Sequence, residues 1–335
     1  MRRAVLVPEF TVPSPAQIPE LWPGRTVQLD GTGTFVRDTP ATSADAEPAL
    51  YVHGLGGSSS NWTDLAGVLS DHLDGQAIDL PGFGHSGPAR NYTITAMAQR
   101  VVRWIEQSDR GPVHLFGNSL GGAVSVKVAG TRPDLVRTLT LISPAMPFLD
   151  PRRSVQGRIV PLVFLPNAPR LAARRMAAMA PAELTQMVIE ACFADPARFP
   201  EQRIAEAIEE ARLRHTVPWY ADAYVRSLRG LVSSFLRAYL PGEGSMWRAA
   251  ARISAPTLVI GGRQDRLVDI RVAPQVARVI PDSRLLMLEG VGHVAQMELP
   301  RAVARAFLGM LGEIRNVGMA SYRIDGAAAD DRPPA

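Results

Sequence analysis

Gly117-Asn118-Ser119-Leu120-Gly121 lies between two segments with opposite local preferences. Val113-His114-Leu115-Phe116 is apolar and reads as strand, whereas Gly122 to Ala129 reads as helix. A chain that changes from strand to helix within one turn of small residues must bend sharply at the serine. Glycine at 117 and 121 permits the bend, because side chains there would hold strand and helix apart. The bend lifts the Ser119 hydroxyl to the end of a strand. It therefore limits the chain to folds in which strands feed directly into helices.

The flanking sequence repeats that alternation. Strands are predicted over 49–53, 75–79, 112–117 and 137–142, with helices over about 61–71, 95–107 and 120–131. After a gap, strands over 257–261 and 284–288 alternate with helices over 271–279 and 295–312. Residues 26–37 read as a hairpin that turns at Asp30-Gly31. Near-continuous apolar strands separated by helices imply an α/β fold, with a mostly parallel eight-stranded sheet covered on both faces.

Two further residues stand where a serine hydroxyl needs help. His293 follows an apolar run in Gly290-Val291-Gly292-His293, and Asp265 follows Thr257 to Ile260 and Gly261-Gly262. A serine hydroxyl is a poor nucleophile until a base takes its proton, and histidine suits that task with an ordinary pKa of about 6.5. A carboxylate on the other ring nitrogen fixes the tautomer and stabilises the imidazolium. The assigned roles are Ser119 as nucleophile, His293 as general base then acid, and Asp265 as orienting carboxylate. The oxyanion would be held by the backbone N–H groups of Leu120 and Leu55, the latter in His53-Gly54-Leu55-Gly56-Gly57. His53, Gly54, Gly117 and Gly121 shape the supporting turns.

These pieces, in the order Ser, Asp, His, resemble the α/β-hydrolase superfamily of lipases and esterases, epoxide hydrolases and C–C hydrolases. The resemblance extends to Ser60-Asn61-Trp62, to Asp79-Leu80-Pro81-Gly82-Phe83-Gly84-His85-Ser86 and to Gly292-His293-Val294-Ala295-Gln296. It covers roughly residues 25–145 and 250–315 and implies the α/β-hydrolase fold with an inserted, variable cap. Epoxide hydrolases and haloalkane dehalogenases of this kind use an aspartate nucleophile, and residue 119 is Ser. Among serine members, the resemblance implies either a carboxylic ester hydrolase or a C–C bond hydrolase of diketone-like ring-fission products. C–C hydrolases typically carry Trp after the catalytic His, where this chain has Val294. In that reading Arg174 or Arg175 would bind a substrate carboxylate. Some relatives place the acid one strand earlier, but no carboxylate follows Leu141-Ile142 before Asp150. The competing class is a non-catalytic binding protein on the same fold.

Residues 146–248 break the alternation and read as a helical cap between two stretches of hydrolase core, 25–145 and 249–315. The cap holds fourteen arginines against ten acidic residues, which accounts for the whole formal charge of +4. Its first part carries Arg152, Arg153, Arg158, Arg170, Arg174 and Arg175 around the apolar run Ile159 to Pro166. That run is long enough to dip into a lipid interface but not to span one. The expected partner is a small ester or lipid-like substrate, with peripheral membrane contact through the cap. Of 36 basic residues only Lys127 is lysine, and no basic cluster interleaves with aromatics, so no nucleic acid is expected. No metal-ligand spacing and no glycine-rich dinucleotide turn occurs, so neither metal nor cofactor is expected. The single Cys192 excludes an intrachain disulfide and is read as packing. His85 and His114 are read as structural, and His72 and His215 as surface residues on helices. A short apolar start (residues 4–7) favours a cytoplasmic protein over a secreted one. The proline-rich segment 1–24 is expected to run extended, and 316–335 to be a disordered tail.

Overall fold

A computed structural model describes residues 1–13, 18–148, 164–238, 240 and 245–327, with side chains through residue 316. Arg152, Arg153, Arg158 and the first five residues of the apolar run (159–163) lie outside the described residues.

Five strands form the parallel centre: β4 (Glu47–Val52), β5 (Leu73–Ile78), β6 (Val113–Asn118), β7 (Val136–Ile142) and β8 (Thr257–Gly262). β9 (Ser283–Leu288) extends it in parallel beside β8. The hairpin β2 (Gly24–Leu29) and β3 (Thr32–Thr39) adds two strands, with β3 antiparallel to β5. Asp30 and Gly31 both take positive φ, 50° and 70°, as a tight hairpin turn that follows the sheet's twist requires. The sheet has nine strands, not eight, because Arg2–Arg3 pairs with β9 as a short β1. The proline-free start of the N-terminal segment can donate to a ladder, and the prolines from residue 8 onward then end it. The order is β1-β9-β8-β7-β6-β4-β5-β3-β2.

Side-chain alternation splits the strands between two cores. Leu50, Val52, Leu115, Leu139, Leu141 and Val259 face one side, with α2 (Ile94–Ser108), α3 (Leu120–Thr131) and, after β8, Val272, Val276 and Ala277. Ala49, Tyr51, Phe116, Ile142, Leu258 and Ile260 face the other, with α1 (Thr63–Val68) and the C-terminal helix. The central strands β4 to β8 are largely buried on both faces, so their sequences read as nearly continuous apolar runs.

Between β7 and β8 the described residues form α4 (Ala168–Ala177), α5 (Pro181–Cys192), α6 (Glu201–Thr216), α7 (Tyr220–Arg237) and α8 (Met246–Ala251). The chain closes with α9 (Val272–Val279), α10 (Ala295–Glu298) and α11 (Pro300–Ala327). The single helix predicted over 295–312 is thus two helices. Pro300 has no N–H to continue the first and starts the second, where a missing donor costs nothing. α11 runs to Ala327 with no proline after its first residue, into the span 316–335 for which composition predicts disorder. His72 lies in an exposed turn rather than on a helix, and His215 is exposed on α6.

α3 packs its first turn against the end of β4. A Cβ on Gly121 would collide with the backbone carbonyls of Val52 and His53, which cannot give way. Gly121→Ala is therefore expected to lower the thermal midpoint by more than about 5 °C. A melting curve that matches wild type would refute this close packing.

Candidate active site

Ser119 sits between β6 and α3 with φ 53° and ψ −116°, a conformation a non-glycine residue adopts only under constraint. Three backbone hydrogen bonds supply the constraint. Its N–H donates to the Ile142 carbonyl at 3.1 Å, and its carbonyl accepts from Ala123 at 3.1 Å and Ala145 at 2.9 Å. A Cβ on Gly117 would meet the Ser125 hydroxyl and the Gly121 carbonyl, so both motif glycines are required sterically.

Peptide planarity shows where the two predicted N–H donors point. In a trans peptide, C=O and the following N–H point in opposite directions. The Ser119 carbonyl is occupied inside α3, so the Leu120 N–H projects from the helix start as one of its free donors. The Gly54 carbonyl is held by the Gly57 N–H at 3.1 Å and by His53 Nδ1 at 2.7 Å, which turns the Leu55 N–H the other way. Gly54 itself lies against the turn that carries Ser119, since a Cβ there would stand 3.2 Å from Ser119 Cβ.

His53 is fully buried and holds this turn. Its Nε2 accepts the Leu80 N–H at 2.9 Å, so the ring proton is on Nδ1 and donates to Gly54. Burial lowers its pKa, opposed by the nearby Asp79, and keeps the ring neutral. Asp79 in turn accepts from the backbone N–H groups of Ser59 at 2.6 Å and His85 at 2.8 Å. His114 is also satisfied, by Thr138 at 2.8 Å and Glu47 at 2.6 Å.

His293 Nδ1 lies 2.9 Å and 3.1 Å from the two oxygens of Asp265, so Nδ1–H donates and Nε2 is left as the basic nitrogen. Asp265 also accepts from the N–H groups of Leu267 at 2.8 Å and Val268 at 3.0 Å. Burial alone would raise its pKa, but His293 and these two donors hold it below the usual carboxylate range.

Several residues that position this set carry no signal of their own in the sequence. Asn118 Nδ2 donates to the carbonyls of Ile142 at 3.0 Å and His293 at 3.1 Å, tying the residue before Ser119 to the histidine. The His293 N–H donates to the Cys192 carbonyl at 2.6 Å, so the end of α5 supports the histidine from outside the core. The Cys192 thiol is pushed up to about 12, first by burial and then by the charge of Asp265. That excludes a thiolate and leaves it a packing role. Glu298 has a fully buried carboxylate that accepts from the N–H groups of Gly292 at 2.7 Å, Ala194 at 3.3 Å and Asp195 at 3.1 Å. Arg198 completes it at 3.2 Å and also donates to the Gly290 carbonyl at 2.7 Å. A carboxylate five residues after the histidine, at the end of a short helix, was the only trace of Glu298 in the chain.

A mostly parallel sheet with a strained serine at a strand–helix turn and a carboxylate-paired histidine after the last strand defines an α/β-hydrolase. Residues 48–300 match the alpha/beta hydrolase fold family, and the chain belongs to that family. It is similar to monoacylglycerol lipase ABHD6 of Rattus norvegicus, 26% identical over 80% of this chain and 76% of that protein. Among solved structures it shares its fold with a bacterial membrane phospholipase A, described as a virulence factor. That match has TM-score 0.71 at 23% identity, over 88% of this chain and 87% of the other. It also shares the fold of 2-hydroxy-6-oxo-6-phenylhexa-2,4-dienoate hydrolase from Rhodococcus sp. strain RHA1. There the TM-score is 0.65 at 20% identity, over 84% and 95% of the two chains.

Removing Glu298 would strand three backbone donors that now share its carboxylate, at about 1–3 kcal/mol for each that finds no other partner. Glu298→Ala is expected to lose at least about 3 kcal/mol in urea unfolding. A loss under about 1 kcal/mol would mean that water replaces the carboxylate.

Proposed function

We propose that this protein hydrolyses carboxylic esters with an apolar acyl group through an acyl-enzyme on Ser119. The observation that carries the reading is the His293–Asp265 pair, which leaves Nε2 as base on a loop fastened by Asn118 to the serine's own strand. In this mechanism Nε2 takes the Ser119 proton as Oγ bonds to the ester carbonyl carbon. The N–H groups of Leu55 and Leu120 receive the developing oxyanion, a contribution of about 10²–10³ in rate for each donor. The imidazolium then gives its proton to the departing alkoxide, which breaks the C–O bond and leaves the acyl group on Ser119. Water, deprotonated by the same nitrogen, attacks the acyl carbon; the carboxylic acid leaves and Ser119 regains its proton.

Similarity to a monoacylglycerol lipase supports a lipid-like ester as substrate. The insertion serves as a cap over Ser119 and His293, which are 8% and 4% exposed. C–C hydrolysis draws no support from Arg174 and Arg175, which face solvent on α4. A p-nitrophenyl ester series from acetyl to palmitoyl should show turnover by wild type, and none above background by Ser119→Ala. Asp265→Asn should fall about 10³–10⁴-fold. Cleavage of a vinylogous diketone with no ester turnover would overturn the reading.

The outer face of α4 supports contact with a membrane surface from the cytoplasmic side. Phe164, Leu165 and Leu171 are each about half exposed beside Arg170, Arg174 and Arg175, and no acidic residue occurs between 164 and 182. No described helix is long and apolar enough to cross a membrane. The protein should therefore sediment with phosphatidylglycerol vesicles more than with phosphatidylcholine vesicles. Replacing the three arginines by glutamine should remove the difference, and equal sedimentation of wild type would rule the contact out.

A further inference from the structure

The loop that carries the Leu55 N–H is gripped from two sides. On the core side His53 fixes Gly54. On the insertion side Glu210 of α6 and Tyr220 of α7 reach the rest of the loop, with Arg214 between them. Ser60 Oγ donates to Glu210 at 2.8 Å, and Glu210 pairs with Arg214 at 2.7 Å. The Arg214 guanidinium lies 5.6 Å over the Tyr220 ring, and the Tyr220 hydroxyl makes a long hydrogen bond of 3.3 Å to the Gly56 carbonyl. Gly56 has φ +76°, and a Cβ there would meet the Tyr224 ring and the Tyr220 hydroxyl.

The two grips are continuous. The His53 ring meets the edge of Phe83 at 5.8 Å, and Phe83 meets the edge of Tyr220 at 5.8 Å. Burial alone would raise the Glu210 carboxyl, but Arg214 and the hydroxyls of Ser60 and Ser58 hold it low, so the pair is ionic. Such a largely buried ion pair, with side chains 15% exposed, is a poor source of stability, because desolvation offsets its attraction. It does fix geometry, since each partner has only one arrangement that satisfies it.

We propose that Glu210, Arg214 and Tyr220 are positioning residues that hold the oxyanion loop from the insertion. The Leu55 N–H is then in its catalytic place only while α6 and α7 are seated on residues 54–60. The inference rests on Leu55 as an oxyanion donor, as argued above. It concerns transition-state stabilisation and leaves substrate affinity to other parts of the site.

The test compares wild type with Glu210→Gln, Tyr220→Phe and Arg212→Ala, the last an exposed arginine of the same helix, 59% exposed. Three quantities are read: kcat and KM on the best p-nitrophenyl ester, the rate of labelling by a fluorophosphonate, and the affinity of a trifluoromethyl ketone of matching chain length. Both compounds place a tetrahedral oxygen in the oxyanion site. Glu210→Gln and Tyr220→Phe should lower kcat, labelling rate and ketone affinity together by about tenfold, less than deletion of a donor. KM should stay within about twofold, and Arg212→Ala should match wild type. Folded variants with unchanged labelling and kcat would overturn the proposal, as would losses confined to KM. If Glu210→Gln does not fold, Tyr220→Phe decides, because it removes one hydroxyl and keeps the ring. A wild type that labels but cleaves no ester would defeat the ester reading alone, since labelling still reports the loop.

Discussion

The strained backbone at Ser119 is the constraint on which the rest of the site depends. A residue at φ 53° and ψ −116° costs about 1–3 kcal/mol and persists only where its surroundings forbid every alternative. Here they do. The helix start is pressed so tightly against β4 that residue 121 can have no side chain. The same compression sets Ser119 at the start of α3, with the loop after β4 close beside it. Glycine at 54 completes this arrangement, because a Cβ there would stand only 3.1 Å from Asn118 Oδ1 and 3.2 Å from the Ser119 Cβ.

The histidine is held differently. Its loop has no regular structure until α10, so its position comes from individual hydrogen bonds. One anchor is in the core, through Asn118. The others come from the insertion, through the Cys192 carbonyl and the amides that Glu298 gathers from residues 194 and 195. An apolar cluster of Ile189, Phe193, Phe199 and Val294 seals the contact. The insertion is therefore part of the scaffold that positions His293.

Strand and helix positions were legible because a strand buried on both faces has a nearly invariant apolar sequence. The serine turn was legible because its glycines are dictated by local sterics. β1 was not, since two arginines carry no strand preference and gain their pairing only from the exposed edge of β9. The break at Pro300 was present in the sequence as a helix-stopping residue, but the apolar period on either side reads through it. Asn118, Glu298 and Glu210 were illegible for a deeper reason. Each acts through partners between about 100 and 175 residues away along the chain, or on another element altogether, and an isolated polar residue does not announce its partner. The apolar run with its flanking arginines illustrates the converse: a pattern plain in the sequence lies largely outside the described residues.

The bond from the His293 amide to the Cys192 carbonyl bears on how such a protein can be diversified. Insertions between two strands of a conserved sheet invite exchange, as if each were a cartridge on a common chassis. In this chain the cartridge carries the peg on which His293 hangs. A chimera that received a foreign insertion would keep Ser119 and Asp265, yet the His293 backbone would lose its acceptor. New specificity by whole-insertion grafting would thus require retaining residues 192–198 as a fixed collar and varying only the helices beyond it.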